Sequence, residues 1–300
     1  MRYIISVALA SLLPLPVAAG VPRVVTDLAP VGSLVAQVMG DLGAPVVLLD
    51  RGADAHAFQL RPSQAADLAA AQAVIWIGPE MTPWLDRAVA GMNADAADLR
   101  LLSLAGTRVQ PFATADDPAP AEDHDHDHGD IDPHAWLDPA NAALWLDGIA
   151  RLLSGLDPEH AATYAANAAA AQADLTRLDA ELSALLAPAK DLPLVVFHDA
   201  YGYFARHYGL TIVGTLSDGD AASPGAAHLR ALQATLADGP VCLFPEANHD
   251  PALLASLTAS PGVKVGAPLD PEGSTLPTGP ALYADLMRTM AGAIADCAAR

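Results

Sequence analysis

Short runs rich in valine, leucine and isoleucine recur along this chain in two sets, with helical patterns between them. That alternation restricts the fold more than any other feature. The first set is RVVTDL from Arg23, VVLLD from Val46, AVIWIG from Ala73 and RLLSL from Arg100. The second is LVVFH from Leu194, TIVGTL from Thr211, VCLFPE from Val241 and KVGAPLD from Lys264. Stretches such as RPSQAADLAAAQ and TPWLDRAVAGM separate them with helical spacing of their apolar residues. Strands that alternate with helices form parallel βαβ units, buried on both faces. Two sets of four imply an α/β protein with two similar lobes, each built on a parallel four-stranded sheet.

The segment between the sets predicts one long helix over residues 158–187. Asp157-Pro158 is a helix start, with Asp as N-cap and Pro at the first position. The alanine-rich run that follows carries Leu175, Leu178, Leu182 and Leu186 on one stripe, and no glycine interrupts it before Pro188. Such a helix is a rigid spine joining two Rossmann-like lobes. The expected boundaries are a signal peptide at 1–19, an N-terminal lobe at 20–139, a helical connection at 140–188 and a C-terminal lobe at 189–300. Residues 114–130 lie inside the first lobe, are polar and proline-bearing, and read as a mobile acidic loop.

The opening MRYIISVALASLLPLPVAAG has a basic n-region, an apolar h-region and a small-residue cleavage site near Ala19. It predicts export to the periplasm as a soluble protein, since no later stretch reaches the ~20 apolar residues of a membrane span. The net charge of −20, from 35 acids against 15 bases, argues against nucleic-acid partners. In an oxidising compartment the two cysteines, Cys242 and Cys297, are expected to pair; two buried thiols are the alternative. The loop so closed spans about 55 residues and would contribute on the order of 4 kcal/mol.

The histidines fall into three groups. His124, His126 and His128 alternate with aspartate in the acidic loop, where they form an auxiliary, weak metal site or a solvated tract. His56, His134, His198 and Asp270 each lie at or beyond the carboxyl end of a predicted strand. Ligands of open parallel sheets bind there, so two facing lobes would converge these side chains in the interlobe cleft. Three imidazoles and a carboxylate make a tetrahedral zinc shell. His160, His207, His228 and His249 read as packing or surface residues.

The stretches HAFQLRPSQ, VIWIGPEMTPWL, DPHAWLDP, FHDAYGYFARHYGL and LDPEGSTLPTGPALYADLMR, spread over the chain, resemble the ZnuA-type family. These are the periplasmic zinc-binding solute receptors of ABC importers. The acidic histidine-bearing loop before DPHAWLDP is typical of the zinc-importing branch. The resemblance implies two α/β lobes on one long helix, with His56, His134 and His198 as metal ligands and Asp270 as the fourth. It implies Zn2+ as transported ligand, and as partners a membrane permease with its cytoplasmic ATPase and a periplasmic metallochaperone; the receptor is expected to be a monomer. It also matches a Cys242–Cys297 disulfide. An imidazole rather than a carboxylate at position 198 favours zinc over manganese. Some members place glutamate before the first histidine; Ala55 stands there here, which leaves Asp270 or a water as fourth ligand.

Three other readings compete. A manganese receptor and a metal-dependent adhesin share the scaffold. A secreted zinc hydrolase would keep an open coordination position beside a general base, for which Glu246 and Asp199 are available. No HExxH, G-x-S-x-G or phosphate loop occurs, so an enzyme is not expected.

Overall fold

The computed structural model describes residues 20–49, 51–53, 55, 58–92, 95–112, 131–217, 225–237, 239–247, 257 and 262–300. The leader, His56, the loop histidines His124, His126 and His128, and His249 lie outside the described residues. Strands β1 (Val24–Thr26), β2 (Val46–Val47), β3 (Ala73–Trp76) and β4 (Ala97–Arg100) form a parallel sheet in the order β2-β1-β3-β4. Strands β5 (Leu194–Val196), β6 (Ile212–Thr215), β7 (Val241–Leu243) and β8 (Val263–Val265) repeat that path as β6-β5-β7-β8. In each sheet the chain steps to one side of its first strand and then returns to the other. This creates switch points between β1 and β3 and between β5 and β7, where parallel sheets open a crevice at their carboxyl ends. These central strands are fully buried, which is why they read as unbroken apolar runs.

Two strand ends differ from the sequence reading. β4 is ADLR rather than a run beginning at Arg100, because Ala97–Arg100 pair in register with Ala73–Trp76. Its outer-edge position leaves it half-exposed, so it lacks an apolar signature. The buried Leu101 and Leu102 follow it, their amides still donating to Trp76 and Ile77 carbonyls at 2.8 and 3.0 Å. Asp270 does not close β8, which stops at Val265; an isolated parallel bridge between Glu246 and Leu269 resumes the pairing just before it.

Among the described residues the helices are α1 (Ala29–Met39), α2 (Pro62–Ala69), α3 (Pro83–Ala90), α4 (Pro139–Leu156), α5 (Ala161–Leu186), α6 (Gly202–Tyr208), α7 (Ala226–Ala237) and α8 (Leu282–Ala299). At 26 residues, α5 is ~39 Å long. A short 3₁₀ turn at Pro158–His160 precedes it. Asp157 therefore does not cap α5; its Oδ2 instead accepts from Tyr164 at 2.9 Å and lies 2.7 Å from His160 Nδ1. Tyr164, Ala168, Ala171, Leu175, Leu178, Leu182 and Leu186 form its buried stripe. That stripe packs on α4, α8 and α1, so elements from both halves share one apolar core. Cys242 of β7 is bonded to Cys297 of α8, with Cα atoms 6.2 Å apart. Among the described residues no helix is long and apolar enough to cross a membrane.

Candidate metal centre

His198 leaves the end of β5 at the second switch point, and Glu246 reaches it from the end of β7. Its Nδ1 lies 2.6 Å from Glu246 Oε1, which also accepts the Tyr201 hydroxyl at 2.8 Å. Burial, reinforced by the Glu246 charge, pushes the Tyr201 phenol well above its usual range, so it remains a donor. An ionised carboxylate only accepts, so the hydrogen between His198 and Glu246 belongs to Nδ1.

His134 is oriented in the same way from closer by. Asp132 Oδ1 accepts both the His134 backbone amide at 2.9 Å and its Nδ1 at 2.8 Å. Both residues are fully buried. The His134 and His198 rings meet edge to face with centroids 5.4 Å apart. Two imidazoles from opposite halves thus stand together, each with Nδ1 against a buried carboxylate. A carboxylate behind an imidazole is the arrangement that fixes ring orientation at metal sites, zinc among them.

Asp270 sits in the adjoining loop. Its Oδ1 accepts from the amide and hydroxyl of Ser274 at 2.9 and 3.1 Å, and its Oδ2 from those of Thr275 at 2.8 and 2.6 Å. Trp136 Nε1 donates to Pro271 O at 2.8 Å and so stitches the His134 turn to this loop. A carboxylate offers about four lone-pair directions, so a metal must displace or share a donor to take Asp270. Among the described residues no group of three or more His, Cys, Asp or Glu is arranged to hold a metal ion. Of the candidate set, His134, His198 and Asp270 are described; the two imidazoles stand in ring contact, and Asp270 is not grouped with them.

A family model for the periplasmic zinc-uptake complex component A, ZnuA, matches residues 24–297. The chain belongs to this family. The high-affinity zinc uptake system protein ZnuA of Paracoccus denitrificans is 49% identical over 305 positions, covering 94% of each chain. Its namesake in Brucella abortus is 33% identical and covers 91% of each. A crystal structure of ZnuA aligns with a TM-score of 0.75 at 25% identity, over 92% of this chain and 98% of the other. The Pseudomonas aeruginosa protein FpvC, solved with Mn2+, shares the fold at a TM-score of 0.79 and 23% identity, over 93% and 99% of the two chains.

Beyond this ZnuA-type frame, several residues do more than their sequence context suggests. Glu246 orients His198, and Tyr201 and Tyr203 are hydrogen-bonding groups rather than mere packing. His207 is not a simple surface residue: its Nδ1 lies 2.9 Å from Asp138, the N-cap of α4, and its Nε2 2.7 Å from Asp179 of α5. Its bond to Asp138, helped by Asp179, raises its pKa against the opposing effect of burial. His228 Nε2 lies 2.7 Å from the Thr215 carbonyl. Only Asp132 had a local signal, two residues before His134 in DPH. A cavity of about 1000 Å³ lies elsewhere, between α1, α5 and the start of α8, and its lining holds none of these side chains.

Proposed function

We propose that this chain is a high-affinity periplasmic zinc receptor, capturing Zn2+ between its two halves and delivering it to an ABC importer of the inner membrane. His56, His134 and His198 supply imidazole nitrogens, and Asp270 takes the fourth position by yielding one hydroxyl donor. The observation that carries this reading is the His134–His198 pair at 5.4 Å, each ring backed by a carboxylate. Membership of the zinc-uptake family supports the same conclusion. The partners are a membrane permease and its cytoplasmic ATPase, a periplasmic metallochaperone loads the receptor, and the receptor acts as a monomer. The leader is cleaved near Ala19.

A zinc titration of the mature protein tests this. One tight equivalent that outcompetes Mn2+, with no hydrolytic turnover, is the expected result. Preference for Mn2+ would instead favour the manganese reading, for which the Mn2+-bound FpvC is a precedent on the same fold. Deleting residues 116–129 should remove only weak additional equivalents of zinc. Loss of the tight one would show that the acidic loop belongs to the main site.

A further inference from the structure

The segments flanking residues 113–130 are joined by a closed set of hydrogen bonds that reaches the metal ligand. Pro111 and Ile131 form an antiparallel bridge, and the Asp132 amide donates to Gln110 O at 2.9 Å. A hydrogen-bonded antiparallel pair would normally exchange a second bond, from the Gln110 amide to Asp132 O. Here the Tyr203 hydroxyl of α6 stands between them. It accepts from the Gln110 amide at 3.1 Å and donates to Asp132 O at 2.9 Å. The side chains repeat the connection, with Gln110 Nε2 donating to Asp132 Oδ2 at 3.2 Å. The other oxygen of that carboxylate holds His134, as described above. Gln110, Asp132, His134 and Tyr203 are all buried, with exposures of 5, 0, 0 and 3%.

Asp132 is therefore held from three directions before it touches His134: by its own backbone, by Gln110 and by a phenol supplied from the C-terminal half. Burial pushes the Tyr203 phenol well above its usual range, so it stays a donor at any working pH. We propose that Tyr203 and Gln110 are positioning residues for the metal site, a clasp that fixes the aim of His134 towards His198 through Asp132. This rests on the reading of His134 as a zinc ligand. A buried carboxylate that loses one of its donors is freer to rotate and to carry the imidazole with it, and outer-shell partners of metal histidines typically govern roughly 10–100-fold in affinity.

The test uses the full mature chain with Zn2+ alone and Co2+ alone. Tyr203→Phe deletes one oxygen and Gln110→Met one donor, with the ring and chain length retained; His134→Ala is the reference. Both clasp variants should weaken zinc binding about tenfold and alter the Co2+ d–d bands, which report ligand geometry rather than stability. His134→Ala should abolish the tight site. The clasp is overturned if either variant, folded by circular dichroism, keeps the parental Kd and Co2+ spectrum while His134→Ala loses the metal. Retained tight binding in His134→Ala would instead overturn the ligand assignment, and the clasp with it.

Discussion

The two sheets follow one strand order, yet their switch points hold different chemistry. Between β1 and β3 the crevice is closed by Asp27, whose Oδ1 accepts the Leu28 amide at 2.7 Å and whose Oδ2 accepts the Ile77 amide at 2.9 Å. Thr82 Oγ1 lies 3.4 Å from the same Oδ2. Between β5 and β7 the buried carboxylate is Glu246, and its donors are an imidazole and a phenol. Backbone amides cannot move, so Asp27 ties β1, β3 and α3 together. An imidazole donor is a ring that can be turned, so Glu246 orients the histidine proposed as a ligand. Topology fixes where a crevice opens; the donor facing the buried acid decides whether it becomes structure or site.

The sharpest way to break this contrast is to delete one residue from each point. His198→Ala should lower zinc affinity at least 1000-fold, about 4 kcal/mol, with little change in the stability of the metal-free protein. Asp27→Ala should do the reverse, leaving zinc affinity unchanged while exposing two buried amides to loss of their acceptor, each costing roughly 1–3 kcal/mol. Competition titrations with a zinc chelator and urea unfolding separate the two. If Asp27→Ala weakened zinc as much as His198→Ala, the distinction between the switch points would be lost. A smaller effect is expected from Glu246→Gln, which keeps the shape but weakens the hold on Nδ1. It should cost about 10–100-fold in zinc affinity, and parental affinity in that variant would remove Glu246 from the site.

The smallest effect concerns pH. Burial pushes the Asp27 carboxyl from 3.8 up to about 6, against the lowering effect of the Ile77 and Leu28 amides. The folded state thus binds this proton more tightly than the unfolded chain does. Stability from this group is present below the unfolded value near 3.8 and is lost as pH rises through about 6. Relative to Asp27→Asn, the metal-free parent should gain about 1 kcal/mol between pH 7 and pH 5. Urea midpoints at the two pH values measure it, and parallel pH dependence in parent and variant would show that Asp27 does not titrate in this range.

Much of this was legible in the sequence, for physical reasons that also explain the failures. The central strands announced themselves because both their faces are buried, whereas β4 was misplaced because an edge strand, ADLR, needs no apolar run. The leucine stripe of α5 was readable at helical spacing, but the chain enters that helix through a 3₁₀ turn, and the acid expected to cap it binds Tyr164. His134 and His198 stood out because imidazoles at strand ends are chemically conspicuous. Their supports were not. Glu246 lies 48 positions from His198 and Tyr203 lies 93 from Gln110, so only parallel pairing and the docking of α6 bring them together. Such partners are set by three-dimensional register, which no local spacing encodes.

The apolar interior that begins at Val24 and ends at Cys297 runs through α1, α4, α5 and α8 without a seam. A receptor built this way has no thin waist to bend, and either part expressed by itself would present the naked flank of the other. Opening and shutting like a clamshell would tear that interior. Any such bend would have to part α5 from α1, α4 and α8, whose buried faces are held in common.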